Sequence, residues 1–305
     1  MTLPLKPPLI VHHMAAPHDV YPPNSLEAIR ACLEMKAPFI EIDITALAAG
    51  DYLLVHDPDL ESETTGSGAV ANAVPGEIAH ILYLDVQGAP TPYKVGRLAQ
   101  VVDLFREYGG ETRLQLDFKN VLPFQTDEPL QRLAQIIEPL GERVIVSSGA
   151  DWQLRRLRKL APWLDLGLDV HFYIDWRRPD ETIDPRIPPY RQGAYGYWDD
   201  HPLATQRFYS LPDYLSDRCA ALAGLIPGCS TFYVDYRMVL QGLDEGFSWA
   251  AACHEHNIKL DIWTLDILDD ARTDAARRLL ADGADQFTTN TPHELAGVLD
   301  AAPQV

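Results

Sequence analysis

The chain has 305 residues, 47% hydrophobic and 23% charged, which is enough apolar material for a large core and too much for a disordered chain. Lysine and arginine number 25 against 44 aspartates and glutamates, a net charge of −19 that weighs against DNA, RNA or an anionic membrane as partner. A small anionic substrate stays open, because a bound cation can invert the local field. No run approaches the roughly 18–20 apolar residues of a membrane span, and MTLPLKPP lacks the apolar core of an export signal, so a soluble cytoplasmic protein is expected. Cys32, Cys219, Cys229 and Cys253 show no CxxC spacing, which points to free thiols rather than a zinc ribbon or a disulfide framework.

In chain order, strand-like runs lie at 9–13, 39–45, 52–56, 113–119, 144–148, 165–169, 231–235, 260–265 and 286–289. Helical periodicity falls between them, near 25–36, 95–108, 129–139, 151–161, 213–224, 244–256, 269–282 and 292–300. Such repeated alternation predicts an α/β protein with a parallel sheet, and eight or nine strands favour a closed TIM (β/α)8 barrel over an open sheet. The absence of GxGxxG and GxxxxGK[ST] loops further disfavours a nucleotide-binding open sheet. One segment, 171–215, breaks the rhythm. It is rich in aromatics, among them Tyr195, Tyr197 and Trp198, and in prolines, without helical or strand period. The whole chain, 1–305, therefore reads as one barrel domain with an insertion over the C-terminal mouth. That insertion would serve as a lid, as a packed cap or as an interface between copies.

Several strands end in groups that carry chemistry. In Phe39-Ile40-Glu41-Ile42-Asp43-Ile44, alternation puts Glu41 and Asp43 on one face and the isoleucines on the other. A barrel strand is covered on both faces, so two such carboxylates call for a compensator such as a divalent cation, whereas a solvated edge strand would need none. Gln115, Asp117 and Lys119 share a face of the next such strand. There Asp117 could ligate metal while Lys119 meets a phosphoryl oxygen, or the two could form an internal ion pair. Leu9-Ile10-Val11 runs into His12-His13, and Leu53-Leu54-Val55 into His56-Asp57-Pro58. Histidines at the C-terminal ends of barrel strands stand where barrel active sites lie, and imidazole titrates near neutrality.

Taken together, these motifs resemble the glycerophosphodiester phosphodiesterase family of phosphatidylinositol-phospholipase-C-like barrels. That family runs from an apolar strand into His-Arg, then Pro-Glu-Asn-Thr, Glu-x-Asp, and His-Asp-Pro with a Thr/Gly tail. Here the order is His12-His13, Pro22-Pro23-Asn24-Ser25, Glu41-Ile42-Asp43, His56-Asp57-Pro58 and Thr64-Thr65-Gly66-Ser67-Gly68. Ile262-Trp263-Thr264 and Thr289-Asn290-Thr291-Pro292 are similar to its closing motifs. The departures are His13 for the arginine, Pro23 for the glutamate, and Asp117 in Asp-x-Lys for a glutamate. The last of these, with the opening His13-Met14, is similar to the sphingomyelinase D-like enzymes on the same barrel.

The resemblance implies hydrolysis of a small phosphodiester to a phosphomonoester and an alcohol. Glu41, Asp43 and Asp117 would hold one Mg²⁺ or Ca²⁺. His12 would act as general base and His56 as general acid, Lys119 would face the phosphoryl group, and His13 and Trp263 would line the pocket. The alternatives are a sphingomyelinase D-like reaction ending in a cyclic phosphate, and a barrel that binds metal or phosphodiester without turnover.

Overall fold

Strand and helix alternate as the apolar periodicity dictates, and the computed structural model describes residues 7–16, 20–47, 50–174 and 210–301. The strands are β1 (Leu9–His12), β2 (Phe39–Ala46), β3 (Tyr52–Leu53), β4 (Leu82–Leu84), β5 (Pro90–Lys94), β6 (Arg113–Phe118), β7 (Val144–Ser148), β8 (Asp165–Asp169), β9 (Thr231–Asp235), β10 (Lys259–Trp263) and β11 (Gln286–Thr289). The helices are α1 (Leu26–Glu34), α2 (Pro75–Ile78), α3 (Leu98–Tyr108), α4 (Glu128–Ile137), α5 (Asp151–Leu160), α6 (Leu211–Ala223), α7 (Tyr236–Asp244), α8 (Trp249–Glu255), α9 (Asp270–Asp282) and α10 (Pro292–Asp300).

Among the described residues, eight parallel strands pair in the ring order β1, β11, β10, β9, β8, β7, β6, β2. Val11 beside Phe39 and His12 beside Ile40 close β1 onto β2, so the sheet is a TIM (β/α)8 barrel as expected. Closure turns strand alternation into two separate cores. Ile40, Ile42, Ile44, Leu114, Leu116 and Phe118 point outward under the helices. Each such isoleucine, wholly out of water, contributes roughly 1.5–3 kcal/mol. On the inside, Leu9, Val11, Phe39 and Ile145 plug the N-terminal end. Polar side chains occupy the inside further up, including Gln115, Ser147, Tyr233, Asp261 and Thr288, all buried. The barrel is thus apolar at its base and polar toward its C-terminal mouth, which fits a site at the mouth.

Local chemistry explains the helix ends. Ser25 caps α1, its Oγ accepting from Ala28 N at 3.2 Å, and the α1 face Ala28, Ile29, Cys32 and Leu33 is buried. Gly283 ends α9 at φ 103°, a conformation glycine adopts without a Cβ clash.

Three differences from the sequence reading have physical causes. The run 52–56 yields only β3, which pairs antiparallel to the end of β2 and stays outside the ring. Its apolar residues Leu53 and Val55 instead nucleate a small satellite core with Leu60, Val70, Ile81, Tyr83 and Val95. The helix expected near 244–256 is α8 alone, and α7 is an additional helix before it, separated from α8 around Gly246, whose φ is 88°. The β4–β5 hairpin was missed because Pro90 and Pro92 interrupt its strand pattern. The insertion 171–215 follows β8, the fifth barrel strand. Residues 175–209, on which the lid, cap and interface readings depend, lie outside the described residues. Among the described residues, no helix is long and apolar enough to cross a membrane.

Candidate active site

The acidic strand sets the site. β2 and β6 pair with Glu41 beside Gln115 and Asp43 beside Asp117, so alternation aims all three carboxylates into the barrel at its C-terminal half. Glu41, Asp43 and Asp117 each offer an oxygen within 4.8 Å of the others, and Glu41 and Asp43 are buried. Lys119, two residues beyond Asp117 on the same face, lies 3.0 Å from Asp43 Oδ1 and forms a short ion pair with Asp117 Oδ2. Lys119 thus forms the internal ion pair, with Asp43 as a second partner.

One lysine does not balance three acids. Burial, and then the charges of Asp43 and Asp117, hold the Glu41 carboxyl well above the ordinary carboxylate range. Burial also acts to raise Asp43. Lys119, His56 and the hydrogen bond from Asn24 outweigh it and keep Asp43 below its ordinary value. Burial alone would lower Lys119, yet Asp117, Asp43 and Glu41 hold it well above the usual lysine range. The cluster remains short of positive charge, and its donors are hard carboxylate oxygens, so the residues present fit a divalent cation.

The chain after β1 folds to serve this cluster. Met14 and Ala15 adopt φ 49° and 48°, left-handed values uncommon for residues with a Cβ. In that turn the Met14 N–H donates to Glu41 Oε2 at 2.8 Å. Asn24 brackets Asp43, its Nδ2 donating to Asp43 Oδ2 at 2.9 Å and its Oδ1 accepting from Asp43 N at 3.0 Å.

The two histidines of β1 and its following turn go opposite ways. His12 shares the outward parity of Ile10 and of its partner Ile40. Its Nδ1 lies 3.9 Å from Cys32 Sγ on α1, and it is buried. His13 faces the cluster, with Nε2 at 3.9 Å from Glu41 Oε2. Its Nδ1 is 2.9 Å from Asn290 Oδ1. Asn290 Nδ2 donates to Asp266 Oδ2 at 3.0 Å, and its backbone N donates to Asp266 Oδ1 at 2.7 Å. These bonds fix the amide with its oxygen toward His13, so His13 Nδ1 donates to Asn290 and Nε2 faces the carboxylates. The structure thus brings together Glu41, Asp43, Asp117, Lys119 and His13, and turns His12 away.

His56 follows β3 and is held by its own loop. Its Nδ1 pairs with Asp57 Oδ1 at 2.9 Å, while Glu63 accepts the backbone N–H groups of His56 and Asp57. It is among the groups that lower the Asp43 carboxyl. Trp263 ends β10 opposite Asp235 of β9 and packs edge-on to His171, ring centroids 5.8 Å apart.

Asn24, Asp266, Asn290 and Asp169 were not singled out from the sequence. Asn24 and Asn290 lay within quoted motifs, and Asp266 stands three residues after Trp263, but a bond such as His13–Asn290 spans 277 positions and leaves no local pattern. Asp169 carried a signal, an inward acid at a strand's C-terminal end. Burial pushes its carboxyl up to about 7, with Asp117 and Asp235 adding to the rise and the His171 N–H and Lys119 opposing it.

Comparison with known proteins bears on this geometry. The model of the glycerophosphoryl diester phosphodiesterase family matches residues 13–184, more than half of the chain. The chain belongs to that family. The matched stretch opens at His13 and includes Glu41, Asp43, His56, Asp117 and Lys119. A glycerophosphodiester phosphodiesterase of Caldanaerobacter subterraneus is 22% identical over 95% of this chain and 97% of its own length. A glycerophosphoryl diester phosphodiesterase structure from Parabacteroides distasonis superposes with a TM-score of 0.61, 19% identity, and coverage of 98% and 88%. An Oleispira antarctica phosphodiesterase, solved with the product sn-glycerol-3-phosphate, gives 0.63, 15% identity, and coverage of 96% and 97%. At these identities the two structures speak to the fold. The family is one of phosphoric diester hydrolases, which makes this chain an enzyme of that class.

Proposed function

We propose that the protein hydrolyses glycerophosphodiesters to glycerol phosphate and a free alcohol at the mouth of the barrel, with His13 and His56 as the proton-transfer pair. The observation that carries this reading is the His13–Asn290–Asp266 chain, which leaves an imidazole Nε2 facing a carboxylate cluster made for a cation. Glu41, Asp43 and Asp117 would hold one divalent cation, Mg²⁺ or Ca²⁺. When bound it would polarise a phosphate oxygen and acidify a hydroxyl.

The chain's own residues do the rest. Asn290 and Asp266 hold His13 in the tautomer that accepts a proton at Nε2 from the attacking hydroxyl. Asp57 accepts from His56 Nδ1 and orients the ring, and His56 would protonate the departing alkoxide. Lys119 neutralises charge on Asp43 and Asp117 and thereby admits a phosphate anion to an acidic mouth. Trp263 forms part of the wall. This assignment takes the general base from His12 to His13. The support is parity: the side chain of His12 lies among α1 residues, on the other side of the strand.

The test uses purified protein with glycerophosphocholine and with a bis-aryl phosphodiester. Turnover should require added Mg²⁺ or Ca²⁺, stop in excess EDTA, and disappear in His13→Ala and His56→Ala. Full activity in EDTA, or activity surviving both histidine changes, would sink the proposal.

A further inference from the structure

Outside the ring, β3, the chain that follows it and the β4–β5 hairpin enclose the satellite core. This unit carries His56. The residue before the histidine is tied to the acidic strand, because Thr45, two residues beyond Asp43, donates from Oγ1 to Val55 O at 3.0 Å. The His56 side chain itself is 50% exposed, so packing does not hold it and polar contacts must. Glu63 supplies them. Its two oxygens each accept from His56 N at 3.1 Å, and Oε1 also accepts from Asp57 N at 3.0 Å. Two successive N–H groups aimed at one carboxylate fix the backbone at His56 and Asp57, and so the origin of both side chains. Asp57 then accepts from His56 Nδ1 at 2.9 Å and sets the ring about that origin.

The hairpin fixes Glu63 in turn. The Glu63 carbonyl accepts from Leu84 N at 2.8 Å, Thr65 N donates to Leu82 O at 2.9 Å, and Thr64 bridges antiparallel to Tyr83, so this stretch lies along β4. Thr64 is buried, and its Oγ1 donates to Leu60 O at 2.6 Å. Burial raises the Glu63 carboxyl and Asp43 adds to the rise, while the N–H bonds from His56 and Asp57 and the charge of His56 oppose it. No lysine or arginine among the described residues forms an ion pair with Glu63. A half-buried carboxylate without a basic partner is unfavourable for stability, so its place beside His56 calls for another reason. His56, Asp57 and Glu63 also converge within 4.8 Å, as metal ligands would. Both Glu63 oxygens and His56 Nδ1 already meet partners within the loop, however, so the cluster is bonded to itself.

We infer that Glu63 is a positioning residue: its carboxylate holds the His56–Asp57 pair in the geometry from which His56 Nε2 reaches the leaving alcohol oxygen, and the β4–β5 hairpin is the mount that keeps it rigid. This deepens the phosphodiesterase reading above and rests on its assignment of His56 as general acid. The experiment uses the full chain with saturating Mg²⁺ and glycerophosphocholine. Glu63→Ala should lower kcat about 10²-fold, the loss expected when a catalytic group is displaced by about 1 Å, with KM within about twofold of the wild type. Glu63→Gln keeps an oxygen that can accept from both N–H groups and should restore kcat to within about fivefold of the wild type. Amide exchange followed by NMR on the wild type needs no variant to fold. The His56 and Asp57 N–H groups should exchange at least about tenfold more slowly than those of Asp59 and Ser67, exposed residues of the same loop. That protection should vanish in Glu63→Ala while the amides of β2 and α1 keep theirs. Equal exchange at the four loop amides of the wild type, a Glu63→Ala protein changed in KM but not in kcat, or a Glu63→Gln protein as slow as Glu63→Ala overturns the positioning role alone. A His56→Ala protein with wild-type kcat overturns the general-acid assignment, and a wild type that leaves glycerophosphocholine intact overturns the phosphodiesterase reading itself.

Discussion

Asp261 is a wholly buried acid in the barrel interior. Its Oδ1 accepts from Thr288 Oγ1 at 2.8 Å, while Oδ2 has no hydrogen-bond partner among the described residues. Burial, with a further push from Asp285 and against the Thr288 hydrogen bond, moves its carboxyl from the ordinary 3.8 to about 7. The sign of the linkage follows. Below pH 3.8 both folded and unfolded chains are protonated here and no penalty exists. Between 3.8 and about 7 the unfolded chain ionises alone, so stability falls as pH rises, and above about 7 the loss is complete. At roughly 1.4 kcal/mol per pH unit, the full penalty is on the order of 4 kcal/mol, and about half of it accrues between pH 5.5 and 7. Asp261→Asn keeps the acceptor for Thr288 and abolishes the charge. Urea unfolding of both proteins should therefore show a gain for the variant that is about 2 kcal/mol larger at pH 8.5 than at pH 5.5. A gain independent of pH, or a loss at pH 8.5, would refute the reasoning that this carboxylate is charged at the folded state's expense.

Other consequences follow from the same geometry. His13→Ala should lower kcat/KM by roughly 10²- to 10⁴-fold, whereas His12→Ala should stay within about tenfold of the wild type and lower thermal stability instead; steady-state kinetics and melting curves separate the two, and the reverse ranking would restore His12 to the site. Lys119→Met leaves Asp43 and Asp117 without their buried partner and should cost about 3 kcal/mol or more in EDTA, with part of the loss recovered on adding Mg²⁺; a cost unchanged by Mg²⁺ would count against a cation among those carboxylates. Gly167→Ala would put a Cβ 2.4 Å from Tyr233 Cε2 and 3.2 Å from Thr231 O, so it should destabilise by roughly 1–3 kcal/mol in urea titration, and a neutral outcome would mean the Tyr233 ring is free to move.

The carboxylate strand shows how far a sequence reaches. Alternation in 39–44 and 113–119 was enough to put Glu41, Asp43, Asp117 and Lys119 on one face, because a two-residue period survives any tertiary arrangement. The eightfold repeat of strand and helix predicted the barrel for a similar reason: each helix must cover a strand's outer face, and a ring leaves no edge exposed. Adjacent histidines are a different case. Nothing local says which of His12 and His13 faces the barrel, since a shift of one residue exchanges the faces, and the pairing of β1 with β2 and β11 decides it.

Composition, periodicity and motif order therefore determined the fold class and the shared face of the acidic residues, both of which follow from local strand and helix periods. Tertiary structure alone decided the rest. It turned His13 inward, joined it to Asn290 and Asp266 from the far end of the chain, and set Asn24 on Asp43. These contacts join residues 19 to 277 positions apart, and they exist only because the ring closes β1 onto β2 and β11.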